Sequence, residues 1–157
     1  MKVTRRRGRL QLRLEPIEVD LLSILLDELD ALLDGSADAD DDGVLQRLNP
    51  AAYPDDEASE REYRELTAAG LRTDRSERTA ACRADLSRSG DIDLSDPDAG
   101  RRWLQVLNDL RLALGTRLGI TEDDTHEVDP DDPAAQSRVV YAWLTAVQDS
   151  LVHGMLR

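Results

Sequence analysis

Leu10, Leu12 and Leu14 alternate with Arg9, Gln11 and Arg13. Apolar residues two apart mark a strand with one buried face. Val3 to Arg6 can pair with it across a turn near Arg7-Gly8, so residues 1–14 read as a β-hairpin. The turn lacks the Asn-Gly or Asp-Gly pair that two-residue hairpins favour. From Pro16 the period changes. Leu21, Leu22, Leu25, Leu26, Leu29, Leu32 and Leu33 fall on one helical face. Pro16 suits the first turn of this helix and Gly35 its stop. Residues 36–43 (SADADDDG) form an acidic loop. Val44 to Leu48 fit one short turn, which Pro50 breaks, and Pro54 closes a second loop.

Asp56 to Ser87 is helical in period but polar, with Tyr63, Leu66, Ala69, Ala80, Ala84 and Leu86 as a thin apolar stripe. Gly70 is where this segment would divide into two helices. Arg72 to Thr79 has almost no apolar residue and reads as a solvated face. Ile92 and Leu94 flank Asp93 as a very short strand. Asp96 caps the next helix and Pro97 takes its first position. Trp103, Leu104, Val106, Leu107, Leu110, Leu112, Leu114 and Leu118 cover most of its circumference, which places it centrally in the core or in an interface. Arg117 sits in its last turn, with Gly119 and Ile120 as a C-terminal cap. Residues 121–132 (TEDDTHEVDPDD) form a second acidic loop. Asp132 and Pro133 open the last helix, striped by Val140, Trp143, Leu144, Val147, Leu151 and Met155.

The expected fold is mainly α, a helical bundle of about five helices with a small N-terminal β-hairpin. Helices 97–118 and 133–155 form its antiparallel packing centre. No internal repeat is visible. Residues 1–157 read as one domain, with the hairpin in 1–14 and a helical body in 16–155.

Charge narrows the picture. The chain has 157 residues and a net charge of −13. Residues 1–14 carry six cations and no acid, so the remainder sums to −19. An acidic body repels phosphate backbones, which argues against general DNA binding. The basic hairpin reads as a solvated strand face, with contact to nucleic acid or an acidic partner as the minor alternative. No apolar run reaches the roughly 18 residues of a membrane span. The alternation after Arg7 is not the continuous apolar stretch of a signal peptide. Cys82 is the single cysteine, so no intramolecular disulfide can form. The expected location is the cytoplasm.

Catalytic chemistry finds little footing. Asp38, Asp40, Asp42 and Gly43 match the first half of a calcium loop, but the twelfth position is Asn49 where a bidentate carboxylate is needed. His126 lies among Asp123, Asp124, Glu127 and Asp129 without a second nearby histidine or cysteine. His126 and His153 are the two histidines, and neither sits in a nucleophile motif. No glycine-rich phosphate loop occurs. The expectation is a protein that is not an enzyme and takes no cofactor or metal.

Two features remain. Cys82 has Arg78 one turn before it and Arg83 beside it, and positive neighbours lower a thiol pKa. This makes Cys82 the redox candidate, against the plainer reading of a small buried side chain between Ala81 and Ala84. On the most apolar helix, Asn108, Arg111 and Gly115 form one stripe, with Asp109 and Thr116 beside it. One reading is a buried Arg-Asp-Asn network that fixes helix packing. The other is a surface for a partner or a homodimer, taking in Trp103, Asn108, Asp109, Arg111, Gly115 and Arg117.

The run Trp103 to Asp123 (WLQVLNDLRLALGTRLGITED) resembles an actinobacterial family of a domain of unknown function. The run Tyr141 to Leu151, Glu15-Pro16 after the basic strand, and the leucine-rich first helix fit the same resemblance. It extends over nearly the whole chain, is specific at Leu107 to Thr121 and is loose between residues 36 and 100. Members are oxidative-stress regulators of the AosR type. The resemblance implies a regulatory protein of the oxidative-stress response that changes transcription by binding a protein partner such as a sigma factor. It also implies a switch made by two cysteines in one chain. With Cys82 alone, either a thiol on another molecule completes that switch or this member is a constitutive, non-redox adaptor.

Overall fold

The computed structural model describes residues 1–6, 8–35, 42–86, 90–121 and 131–156. Most of the acidic loops at 36–43 and 121–132, the half calcium motif at Asp38 and Asp40, and the His126 cluster lie outside the described residues. Along the chain run β1 (Lys2–Arg6), β2 (Arg9–Arg13), α1 (Pro16–Asp34), α2 (Asp42–Leu48), α3 (Glu57–Leu86), β3 (Asp91–Asp93), α4 (Pro97–Arg117) and α5 (Ala135–Met155).

The alternation in β2 sends Leu10 and Leu12 inward and leaves Arg9, Gln11 and Arg13 exposed. β1 pairs with β2 antiparallel, Val3 opposite Leu12 and Arg6 opposite Arg9. The short strand at Asp93 is present as β3 and joins the other edge of β2, placing buried Ile92 opposite Leu12. The Leu14 N–H donates to the Gly90 carbonyl at 2.9 Å and the Leu94 N–H to the Leu10 carbonyl at 2.8 Å, which fixes β3 at both ends.

Pro16 opens α1 and Gly35 closes it at φ 80°. Its leucine face is buried as the spacing requires, apart from half-buried Leu21. The Glu15 N–H donates to Glu18 Oε2 at 2.8 Å, and the Trp143 indole N–H donates to Glu18 Oε1 at 3.0 Å. Glu18 therefore ties the start of α1 to α5. Burial raises its pKa, but these donors and the Met1 ammonium outweigh that and hold the carboxyl below its ordinary value.

α3 corrects the sequence reading. It is one continuous helix of 30 residues, not two divided at Gly70. A mid-helix glycine costs only about 1 kcal/mol. The i,i+4 ion pairs Arg61–Glu57 and Arg64–Glu60 support the exposed turns before it. The expected apolar stripe holds at buried Leu86 and half-buried Tyr63 and is otherwise misplaced. Leu66 is 78% exposed, and Ala69, Ala80 and Ala84 face solvent. Thr79, Cys82 and Leu86 are the buried positions.

α4 is the centre, packing on α1, α2, α3 and α5. Asp96 caps it, accepting from the Asp98 N–H at 3.0 Å. At the other end the Ile120 N–H reaches the Gly115 carbonyl at 2.9 Å and the Gly119 N–H the Thr116 carbonyl at 3.1 Å. With Gly119 at φ 63°, that is a complete Schellman cap. α5 begins at Ala135, later than Pro133, after Asp132 accepts from the Ala134 N–H at 2.8 Å. Gly100 meets Met155, while Gly115 meets Tyr141, so α4 and α5 run antiparallel. Among the described residues no helix is long and apolar enough to cross a membrane.

Candidate functional site

The candidate residues of α3 and α4 fall into three clusters. The first surrounds Cys82, which is fully buried. Burial pushes its thiol up to about 12, against the opposing pull of the Arg102 guanidinium. The Asp85 carboxylate adds to the rise. Of the two arginines read as activating, Arg78 contributes a minor lowering. Arg83 instead bridges Asp27 and Asp30 of α1, both at 2.8 Å. Asp85 accepts from the Trp103 indole N–H at 3.0 Å and from Arg102 at 3.3 Å. The thiol is thus protonated and enclosed by the packing of α3 against α4.

The second cluster is a buried polar joint. Arg75 Nε lies 3.2 Å from Asp109 Oδ2. The same guanidinium donates to Asn49 Oδ1 at 2.5 Å and to the Leu48 carbonyl at 2.6 Å. Arg75 therefore joins the end of α2, the middle of α3 and the middle of α4. Burial raises the Asp109 carboxyl above its ordinary pKa, with Arg75 and Arg78 pulling it down. The sequence anticipated an Arg-Asp-Asn network, but its arginine is Arg75 and its asparagine is Asn49.

The third cluster lies between α4 and α5. Arg111 donates to Gln148 Oε1 at 2.7 Å and stacks 5.5 Å from the centre of the Tyr141 ring. Gly115 lets that ring approach, because a Cβ there would sit 3.0 Å from Tyr141 Cε2. Arg111 and Gly115 thus come together, as the stripe required, yet against the protein's own α5. Asp109 points away to α3. Trp103 is wholly buried, Asn108 half-buried, and Arg117 pairs with Glu28 of α1 at 3.1 Å. These contacts spend most of the interaction candidates inside the fold.

Arg75 was missed because it sits in the stretch read as solvated. A signal was there: Arg75, Thr79, Cys82 and Leu86 follow one another at helical spacing. Between α3 and α2 an open groove of about 640 Å³ runs past Leu33, Leu45, Leu48, Tyr63 and Leu71 to Arg75. Among the described residues no group of three or more metal-ligating side chains gathers.

Residues 1–155 match the profile of a family described as "Domain of unknown function (DUF2017)". Similar curated proteins include one named "Oxidative stress regulator AosR" from Mycobacterium tuberculosis (strain ATCC 25618 / H37Rv). It is 31% identical over 141 residues, which is 81% of this chain and 64% of the relative. The "Putative oxidative stress regulator AosR" of Mycobacterium leprae (strain TN) is 28% identical over 148 residues, 83% of this chain and 68% of the relative. The match thus spans a little under two thirds of the Mycobacterium tuberculosis protein. No solved structure matches the chain.

Proposed function

The chain belongs to the DUF2017 family, and from that premise we propose that it is a regulatory protein of the oxidative-stress response that acts by binding another protein. The observation that carries this is its kinship, at 31% and 28% identity, to proteins named as oxidative-stress regulators. The resemblance in the sequence adds a sigma factor as the partner class. The proposal assigns the chain no catalytic step and no cofactor.

The burial of Cys82 favours a second reading, a constitutive adaptor that does not itself sense oxidants. A thiol held protonated and out of contact with solvent is a poor nucleophile and a poor target for peroxide.

An affinity pull-down from native cells, with and without a thiol oxidant, compares wild type with Cys82→Ser. A transcription factor recovered after oxidation, and lost in the variant, supports redox regulation through Cys82. The same factor in all four samples supports the adaptor. Recovery of no transcription component in any sample would overturn the regulatory reading.

A further inference from the structure

The outer face of the β-sheet belongs to none of the clusters above. Alternation sends Leu10, Leu12 and Ile92 into the core, so their neighbours face out. The register arranges those neighbours in rows. Lys2, Arg13 and Asp91 lie side by side, as do Thr4, Gln11 and Asp93. Arg9 stands opposite Arg6 at the hairpin end. Lys2, Arg9, Gln11 and Arg13 are exposed.

This arrangement breaks a local rule of sheet design. Like charges directly opposite one another in a sheet destabilise it. Here Lys2 stands opposite Arg13. Part of that is relieved within the fold, by the Arg13–Asp91 ion pair at 2.5 Å, and the Arg9 charge already acts on the Asp93 carboxylate of the same face. Meanwhile the chain beyond residue 14 sums to −19. Lys2, Arg9 and Arg13 thus stand on one exposed face of a sheet whose strands, five cations against Asp91 and Asp93, still sum to a positive charge.

From this geometry we infer that the outer face of the sheet, with Lys2, Arg9 and Arg13 as its cations, is a docking surface for an acidic segment of a partner protein. The inference deepens the protein-binding reading above and rests on it. A carboxylate-rich segment relieves the cross-strand repulsion, and Thr4 and Gln11 between the cations offer it hydrogen-bond donors. The size suits a short peptide, since five-residue strands run about 17 Å. A nucleic acid is the poorer fit. The outward-facing residues include no aromatic side chain on which a base would stack. A duplex also extends beyond the patch onto surface of its own sign.

The test titrates the full chain into two labelled probes, an acidic peptide of alternating glutamate and serine about ten residues long and a DNA duplex of about twenty base pairs. Fluorescence anisotropy is read near 0.05 M and 0.15 M salt for wild type, Arg9→Gln and the double variant Lys2→Glu, Arg9→Glu. The expected result is saturable peptide binding that weakens with salt. It falls by about tenfold or more in the double variant and by less in Arg9→Gln. Circular dichroism confirms that each variant is folded, and Arg9→Gln alone carries the comparison where the double variant is not. Peptide binding unchanged by the substitutions, absent from wild type, or weaker than duplex binding overturns the inference. The titration involves no oxidant and no native partner. Its failure removes this surface and leaves the regulatory reading standing, whereas an empty pull-down removes the regulatory reading and leaves the measured peptide affinity unchanged.

Discussion

Arg75 and Asp109 meet across the contact of α3 with α4, Nε to Oδ2 at 3.2 Å, with both side chains largely shielded from water. Removing one partner of such a pair leaves the other buried and uncompensated, which typically costs about 3 kcal/mol or more. Arg75→Ala also frees Asn49 and the Leu48 carbonyl, so it should be the most damaging polar substitution in the protein. Urea unfolding at neutral pH measures it. Asp109→Asn keeps an acceptor for Arg75 and should cost much less than Asp109→Ala. The pH dependence has a definite sign. Burial raises the Asp109 pKa in the folded state above 3.8, so across the window above that value the folded protein holds the proton more tightly than the unfolded chain. Asp109 therefore lowers stability as pH rises through that window, and Asp109→Asn should remove this contribution. A variant whose stability falls as steeply as that of wild type would show that another group is responsible.

The hairpin, α1, β3 and α4 with both its caps were legible in the sequence. Each is written in local code, as period two at Leu10 to Leu14 or Asp96-Pro97 before an apolar run. α3 was not legible in the same way. Its face is chosen by tertiary partners, and its buried stripe reaches Cys82 through Arg75 and Thr79, neither of which scores as a core residue. The polar network was foreseen in kind but misassigned, because Arg111 and Asn108 are near Asp109 in sequence while Arg75 and Asn49 are near it in space. Cys82 shows the same limit. Adjacent arginines are visible in sequence, but the burial that outweighs them belongs to the packing of α3 on α4.

Cys82 gives a direct chemical prediction. With its thiol at about 12, alkylation by iodoacetamide at mildly alkaline pH should be about a hundredfold or more slower in the folded protein than in urea. Mass spectrometry of timed samples reads this. Rapid stoichiometric labelling of the folded chain would show that the thiol is reached by fluctuation, and would favour the redox reading. The same raised pKa predicts alkaline destabilisation. The unfolded thiol loses its proton near 9.0 and the folded one near 12, so each step of pH between them favours unfolding. Cys82→Ala should abolish that part of the slope.

Gly70 lies in the middle of α3, and a Cβ there would meet nothing within 4 Å. Alanine therefore adds helix propensity without a clash. Gly70→Ala should stabilise the protein by about 0.5–1 kcal/mol, because the helix is continuous through this position. Thermal unfolding would show a raised midpoint. A lowered one would mean that the glycine serves a break or a close contact with another molecule.

Gly90 is the opposite case, and the loss there should be larger. Its φ is +73°, a region where an L residue is strained, and an added Cβ would lie 2.8 Å from the Leu14 carbonyl oxygen. That oxygen is backbone and has no rotamer to change. The Gly90 carbonyl in turn accepts the Leu14 N–H at 2.9 Å, so relief of the clash stretches the bond that fixes β3 to β2. Gly90→Ala should cost about 2 kcal/mol from the left-handed conformation and the lost hydrogen bond together. Hydrogen exchange distinguishes this from a general loss of stability. Protection should fall first at Leu14 and Leu94, whose amides bond across this junction, while the amides of α4 keep theirs. Uniform loss across the sheet and α4 would mean that β3 unfolds only with the whole protein.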